Sequence, residues 1–165
     1  MGSVRLYGAT SGYLELQAPD VSPDAALVLP STGFGKVLQV VRATDTVRRT
    51  STSGTYADTG LSVTITPSQS SSTVLLIWTG EIATTGSSAY GEIQITDSSN
   101  NAISAAERAS HGPTTELSFA IFGYATPATT SATTYKTRYK RISGTSIIVY
   151  NDIHTGQLFA IEVAA

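Results

Sequence analysis

The chain has 165 residues, no cysteine, and ten Lys and Arg against twelve Asp and Glu, so disulfide frameworks, thiolate metal sites and cysteine nucleophiles are excluded together. A net charge of −2 with only 13% charged residues argues against a nucleic-acid partner held by a basic face, and no apolar run approaches the roughly 20 residues that would make a membrane-spanning helix. The 46 Ser and Thr point instead to a hydroxyl-rich surface on one domain with an appendage. The start, Met1-Gly2-Ser3-Val4-Arg5, lacks the apolar stretch of a secretory leader, so the expected product is soluble and made in the cytoplasm.

Three short extended pieces, residues 4–7, 13–18 and 26–29, open the chain. They are separated by Gly8-Ala9-Thr10-Ser11-Gly12 and by Pro19-Asp20-Val21-Ser22-Pro23. A segment this short and sparsely apolar makes no core of its own. Residues 1–35 are therefore expected to be an extended, β-rich N-terminal arm and linker that packs on a partner, with Val4, Leu6, Tyr7, Tyr13, Leu14 and Leu16 as its anchoring residues. Pro30-Ser31-Thr32-Gly33-Phe34-Gly35 reads as the linker, its glycines allowing a change of direction.

Residues 36–165 carry strand patterning throughout. The runs 37–41, 74–78 and 147–150 are continuously apolar and β-branched, which suits central strands buried on both faces. Leu61, Val63 and Ile65 alternate with polar neighbours, as do Leu117, Phe119 and Ile121. The last strand sets Phe159, Ile161 and Val163 on one face and Leu158, Ala160 and Glu162 on the other. Ser-, Thr-, Gly- and Asn-rich clusters punctuate these runs at short intervals. Residues 102–109 alone have helical potential but lack an apolar stripe, and read as a loop or a single turn. The expected fold is all-β: a jelly-roll-like antiparallel β-sandwich of about eight strands, residues 36–165, behind the arm.

Little in the sequence points to catalysis. Of the two histidines, His111 and His154, neither has ligand or triad spacing. Asp152 and His154 would share one face of a strand, or form a loop pair near a strand end; zinc needs three or four ligands. Glu81 and Glu92 lie on successive candidate strands and would approach across a sheet, the arrangement of a glycosidase pair, but nothing in the sequence sets their separation. No serine sits in a Gly-x-Ser-x-Gly elbow, and Gly33-Phe34-Gly35-Lys36 lacks the span of a phosphate loop. No catalytic, metal or cofactor residue is expected.

The strongest charge feature runs from Tyr135 to Arg141, with Lys136, Arg138 and Lys140 on one strand face and Tyr135, Thr137 and Tyr139 on the other. It reads either as a surface-interaction strip for an anionic chain or as a strand with tyrosines in the core and cations in solvent. Arg42, Arg48 and Arg49 form a looser basic group suited to acidic groups of a neighbouring subunit. Trp78, Phe119 and Ile161 belong to the core or to a subunit seam. Tyr56, Tyr90 and Tyr124, near Gly- or hydroxyl-rich stretches, are candidate sugar platforms.

Gly12-Tyr13-Leu14-Glu15-Leu16-Gln17-Ala18-Pro19, followed by Ala26-Leu27-Val28-Leu29-Pro30, resembles the segment ahead of the globular tip in bacteriophage fibre and other virion proteins. Gly35-Lys36-Val37-Leu38-Gln39-Val40-Val41, Gly60-Leu61-Ser62-Val63-Thr64-Ile65-Thr66-Pro67, Thr133-Thr134-Tyr135-Lys136 and the terminal Ile161-Glu162-Val163-Ala164-Ala165 are similar to that family's motifs, in the same order. The resemblance implies a non-enzymatic virion component, assembled in the host cytoplasm, whose β-sandwich heads form a homotrimer. The shortness of the segment ahead of the head leads to the expectation of a capsid decoration, or cement, protein bound to the major capsid protein. The alternative is a tail-fibre or receptor-binding tip whose loops, residues 84–88 and 127–134, contact host surface glycans.

Overall fold

The computed structural model describes residues 3–7, 13–17, 36–111 and 116–165. The chain divides into two compact units, Met1–Phe34 and Gly35–Ala165. In the first, β1 (Ser3–Tyr7) pairs antiparallel with β2 (Tyr13–Gln17), placing Val4 opposite Leu16, Leu6 opposite Leu14 and Tyr7 opposite Tyr13. The expected third extended piece, residues 26–29, and the linker at 30–35 lie outside the described residues.

The described residues of the second unit form ten strands: β3 (Val37–Asp45), β4 (Arg49–Ser51), β5 (Ala57–Ile65), β6 (Thr73–Thr85), β7 (Tyr90–Asp97), β8 (Ala102–His111), β9 (Leu117–Ala125), β10 (Thr133–Ser143), β11 (Ser146–Val149) and β12 (Gly156–Val163). All pairings are antiparallel. One sheet has the order β5-β10-β7-β8, and the other the order β3-β12-β6-β11-β4 with β9 also paired to β6. β8 runs beside β9 and β3 beside β5, so the two sheets approach along both margins of the sandwich.

The count exceeds the expected eight because two strands carry almost no apolar signal. β4 is Arg-Thr-Ser, and β8, the stretch read as a loop or single turn, is Ala- and Ser-rich. In β8 pairing overrides propensity: residues 107–111 register against residues 90–94 of β7, a neighbour that fixes the backbone whatever the side chains prefer.

The core follows the period-two pattern. Leu61, Val63 and Ile65 of β5, Val74, Leu76 and Trp78 of β6, Ile93 and Ile95 of β7, Tyr135 and Tyr139 of β10, and Leu158 and Ala160 of β12 are all buried. Trp78 and Phe119 meet edge to face, centroids 5.4 Å apart. A Cβ on Gly80 would lie 2.5 Å from the Trp78 ring, and Phe119 registers opposite that glycine. The missing side chain thus makes room for the ring and for its T-shaped neighbour. Burial pushes the Tyr135 and Tyr139 hydroxyls above the usual phenol range.

Glu162 shares the inward face of β12 with Leu158 and Ala160 and is fully buried. Its carboxylate accepts from Ser68 N at 2.8 Å, Ser68 Oγ at 2.9 Å, Gln69 N at 3.3 Å and Gln39 Nε2 at 2.6 Å. A buried charge is tolerated only when bonded in this way. The carboxylate ties the turn after β5 to the last strand.

Candidate functional site

The same alternation that builds the core defines a second surface, on the outer side of β3, β12, β6 and β9. Core residues Leu76, Trp78, Leu158, Ala160 and Ile121 point inward, so their chain neighbours point outward. Register then sets those neighbours in rows. Val40, Ile161, Leu75 and Tyr124 form one; Arg42, Phe159, Ile77 and Phe122 form the next. Val37, Val163 and Thr73 continue the surface on one side. Val37, Val40, Phe122 and Tyr124 are each 57–58% exposed. Leu75, Ile77, Phe159 and Ile161 are half-buried. The runs at 37–41 and 74–78, expected to be buried on both faces, are therefore covered by this unit on the core side only. Arg42 stands over the Phe159 ring, 5.8 Å from its centroid.

On the other side the apolar rows give way to polar ones. Thr44, Gln157, Thr79 and Ala120 form the next row, and Glu81 opposite Ser118 the one after. Residues 150–155, between β11 and β12, fold over this end: Tyr150 N donates to Glu81 O, and His154 Nε2 lies 3.2 Å from Glu81 Oε2. Ser118 Oγ donates to the same oxygen at 2.9 Å, leaving Glu81 Oε1 buried without a partner among the described residues. Asn151 Nδ2 donates to Asp45, whose carboxyl burial would raise but bonds from Arg49 and Asn151 bring below the usual range.

The structure separates several residues that sequence reasoning grouped. Asp152 and His154 lie in the 150–155 turn and not on a strand; Asp152 pairs with Arg48 at 3.0 Å while His154 meets Glu81. Among the described residues no cluster of three or more His, Cys, Asp or Glu forms. Glu81 and Glu92 do not face each other, because β6 and β7 belong to different sheets. His111 is the last residue of β8. The loose basic group is largely satisfied within the chain: Arg49 pairs with Asp45, and Arg48 with Asp152 and the Tyr150 ring.

Lys136, Arg138 and Lys140 do line the outer face of β10, opposite the buried Tyr135 and Tyr139. They meet acids on flanking strands. Asp58 receives Lys136 at 3.0 Å and Arg138 at 2.8 Å; Glu92 receives Lys140 at 2.9 Å and the Tyr56 hydroxyl at 2.9 Å. Burial opposes ionisation of both acids, but these bonds outweigh it and hold both carboxyls below their ordinary range. Lys140 also stands 4.3 Å from the Tyr56 ring centroid. Of the seam-or-core residues, Trp78 is core, Phe119 is partly buried against it, and Ile161 lies in the outer apolar rows. Tyr124 joins Ile161 there. The outer surface itself was missed, although Phe159, Ile161 and Val163 on one strand face were its signal.

No family model and no curated protein matches the chain. Solved structures similar to it include one of infectious bursal disease virus, Gx strain, at 13% identity and a TM-score of 0.45, covering 96% of this chain and 40% of that one. A second, of the Gt strain, has 14% identity, a TM-score of 0.44 and coverages of 97% and 46%. A crystal structure of the same virus's VP2 subviral particle has 15% identity, a TM-score of 0.37 and coverages of 96% and 45%. The chain spans less than half the length of each.

Proposed function

We propose that the chain is a non-enzymatic structural protein of a bacteriophage virion: a homotrimeric capsid decoration, or cement, protein assembled in the host cytoplasm that clamps and stabilises the shell. The observation that carries the reading is the open apolar face of β3, β12, β6 and β9. Four strands at about 4.8 Å spacing and three rows at roughly 6.7 Å give a footprint on the order of 400 Å². A soluble monomer seldom leaves more than this uncovered, and it suffices as the apolar centre of a contact of about 800 Å² per partner. The occupant is a second copy of the chain. In a closed ring of three, each copy presents this face to its neighbour, with Ile161 and Phe122 at the seam. The order of sequence motifs along the chain supports the virion assignment. The β1–β2 hairpin, with Val4, Leu6, Leu14 and Leu16 at alternate register positions, is the anchor to the major capsid protein, and three anchors on one trimer bind multivalently.

Sedimentation tests the seam. The wild-type chain should run at three times its 17.2 kDa mass, and Phe122→Asp with Ile161→Asp should run as a folded monomer. A wild-type monomer at micromolar concentration refutes the trimer. Deleting residues 1–30 should abolish binding to undecorated shells, and undiminished occupancy refutes the anchoring role. The alternative is a receptor-binding tail tip whose loops at residues 84–88 and 127–134 contact host surface glycans; block of phage adsorption by purified protein supports it over the clamp.

A further inference from the structure

A pocket of about 380 Å³ opens where the apolar rows end, within the size range of small-molecule sites. Thr79 and Gln157, side by side in register, form one side, Ser118 and Phe119 of β9 another, and His154 and Thr155 of the 150–155 turn the rim. The Thr79, Thr155 and Gln157 side chains make no hydrogen bond among the described residues. Glu81 lies behind the lining. By accepting from Ser118 Oγ and facing His154 Nε2 it orients two lining groups at once, which leaves the Ser118 oxygen to accept and His154 Nδ1 without a partner among the described residues.

The Thr79 and Thr155 hydroxyls and the Gln157 amide give and take hydrogen bonds, while Ser118 Oγ, its proton given to Glu81, accepts. That suits a ligand whose own groups do both. Among the described residues no Lys or Arg lines the pocket, and the buried Glu81 carboxyl stands behind it, so an anionic ligand finds no counter-charge there. We propose that this pocket binds a neutral pyranose ring, such as the terminal sugar of a surface glycan. It adds a recognition function to the assembly role and does not depend on it. The pocket starts one row beyond Phe122 and Phe159, at the polar rim of the proposed seam, where interfaces stay accessible to water.

The test uses the full-length chain and the methyl glycosides of glucose, galactose, mannose and N-acetylglucosamine, followed by protein amide NMR shifts. At least one glycoside should shift the Thr79, Ser118 and Gln157 amides saturably, with Kd of about 1–10 mM. Thr79→Val and Gln157→Ala should each weaken binding about tenfold, the loss of one hydrogen bond, with sedimentation unchanged. The proposal is overturned if none of the four produces a saturable shift at these amides up to about 50 mM, well above that range, or if both variants bind as the wild type does. Sedimentation of the same samples reports separately on the assembly reading.

Discussion

Replacing Glu162 with Gln tests how the sandwich is closed. Burial alone would raise this carboxyl, but bonds from Gln39 and Ser68 outweigh it and bring it from 4.5 down to about 2. A depression of that size corresponds to about 3 kcal/mol of folding stability. Because the folded value lies below the unfolded one, the contribution is complete above the unfolded pKa and is lost as pH falls through about 2. An amide keeps one accepting oxygen but turns an NH₂ toward the Ser68 N–H or the Gln39 amide, donor against donor. Glu162→Gln should therefore lower stability at pH 7 by about 3 kcal/mol, or about 10 °C in Tm, and still leave a folded protein. Urea unfolding of both proteins at pH 7, 4 and 2 provides the measurement, and effects common to both cancel in the difference. The gap should shrink to under about 1 kcal/mol at pH 2. A gap as wide at pH 2 as at pH 7, or one of less than about 0.5 kcal/mol at pH 7, would show that the carboxylate is not the staple.

Other substitutions probe other terms. Gly144 has φ +81°, and a Cβ there would lie 2.6 Å from Ala89 Cβ and 2.7 Å from Thr85 O; Gly144→Ala should cost about 2–3 kcal/mol in thermal unfolding, with no pH dependence. Trp78→Ala empties the centre of the core and should cost about 3–5 kcal/mol by denaturant titration. Asp58 is half exposed, so Asp58→Asn should cost no more than about 1 kcal/mol despite two ion pairs, and about 0.5 M salt should remove most of that cost. Any part that rests on its lowered pKa is present above the ordinary carboxylate range and lost as pH falls below it.

The strands whose alternation is strong were legible because a half-buried strand writes its two faces into consecutive residues. Leu61, Val63 and Ile65 are buried as read, and β10 has Tyr135 and Tyr139 inside and its cations outside. β4 and β8 were not legible, since their place is set by neighbours and not by their own side chains. Pairings between distant residues were hidden for a related reason. That Lys136 and Arg138 share Asp58, or that His154 reaches Glu81, depends on which strands lie side by side, and no local pattern encodes that order. Glu162 was placed on the correct face of its strand, but its donors come from residues about 90 to 120 positions away.

The two outer faces of the sandwich are finished differently, and the difference supports the proposed seam. Outside β10, three cations are set against Asp58 and Glu92 on flanking strands, a surface stable in water and unsuited to sheet-on-sheet contact. Outside β6 and β12 the equivalent positions are Leu75, Ile77, Phe159 and Ile161, with Arg42 the one charge in their rows. Either surface would serve the fold equally, because the core residues lie on the opposite side of each strand. An uninterrupted run such as Val74-Leu75-Leu76-Ile77-Trp78 thus encodes more burial than the lone unit supplies. The inward residues are satisfied by folding. In the proposed assembly the outward ones are covered by another copy, so polar substitutions at Leu75 or Ile77 should act on association far more than on the unfolding of the monomer.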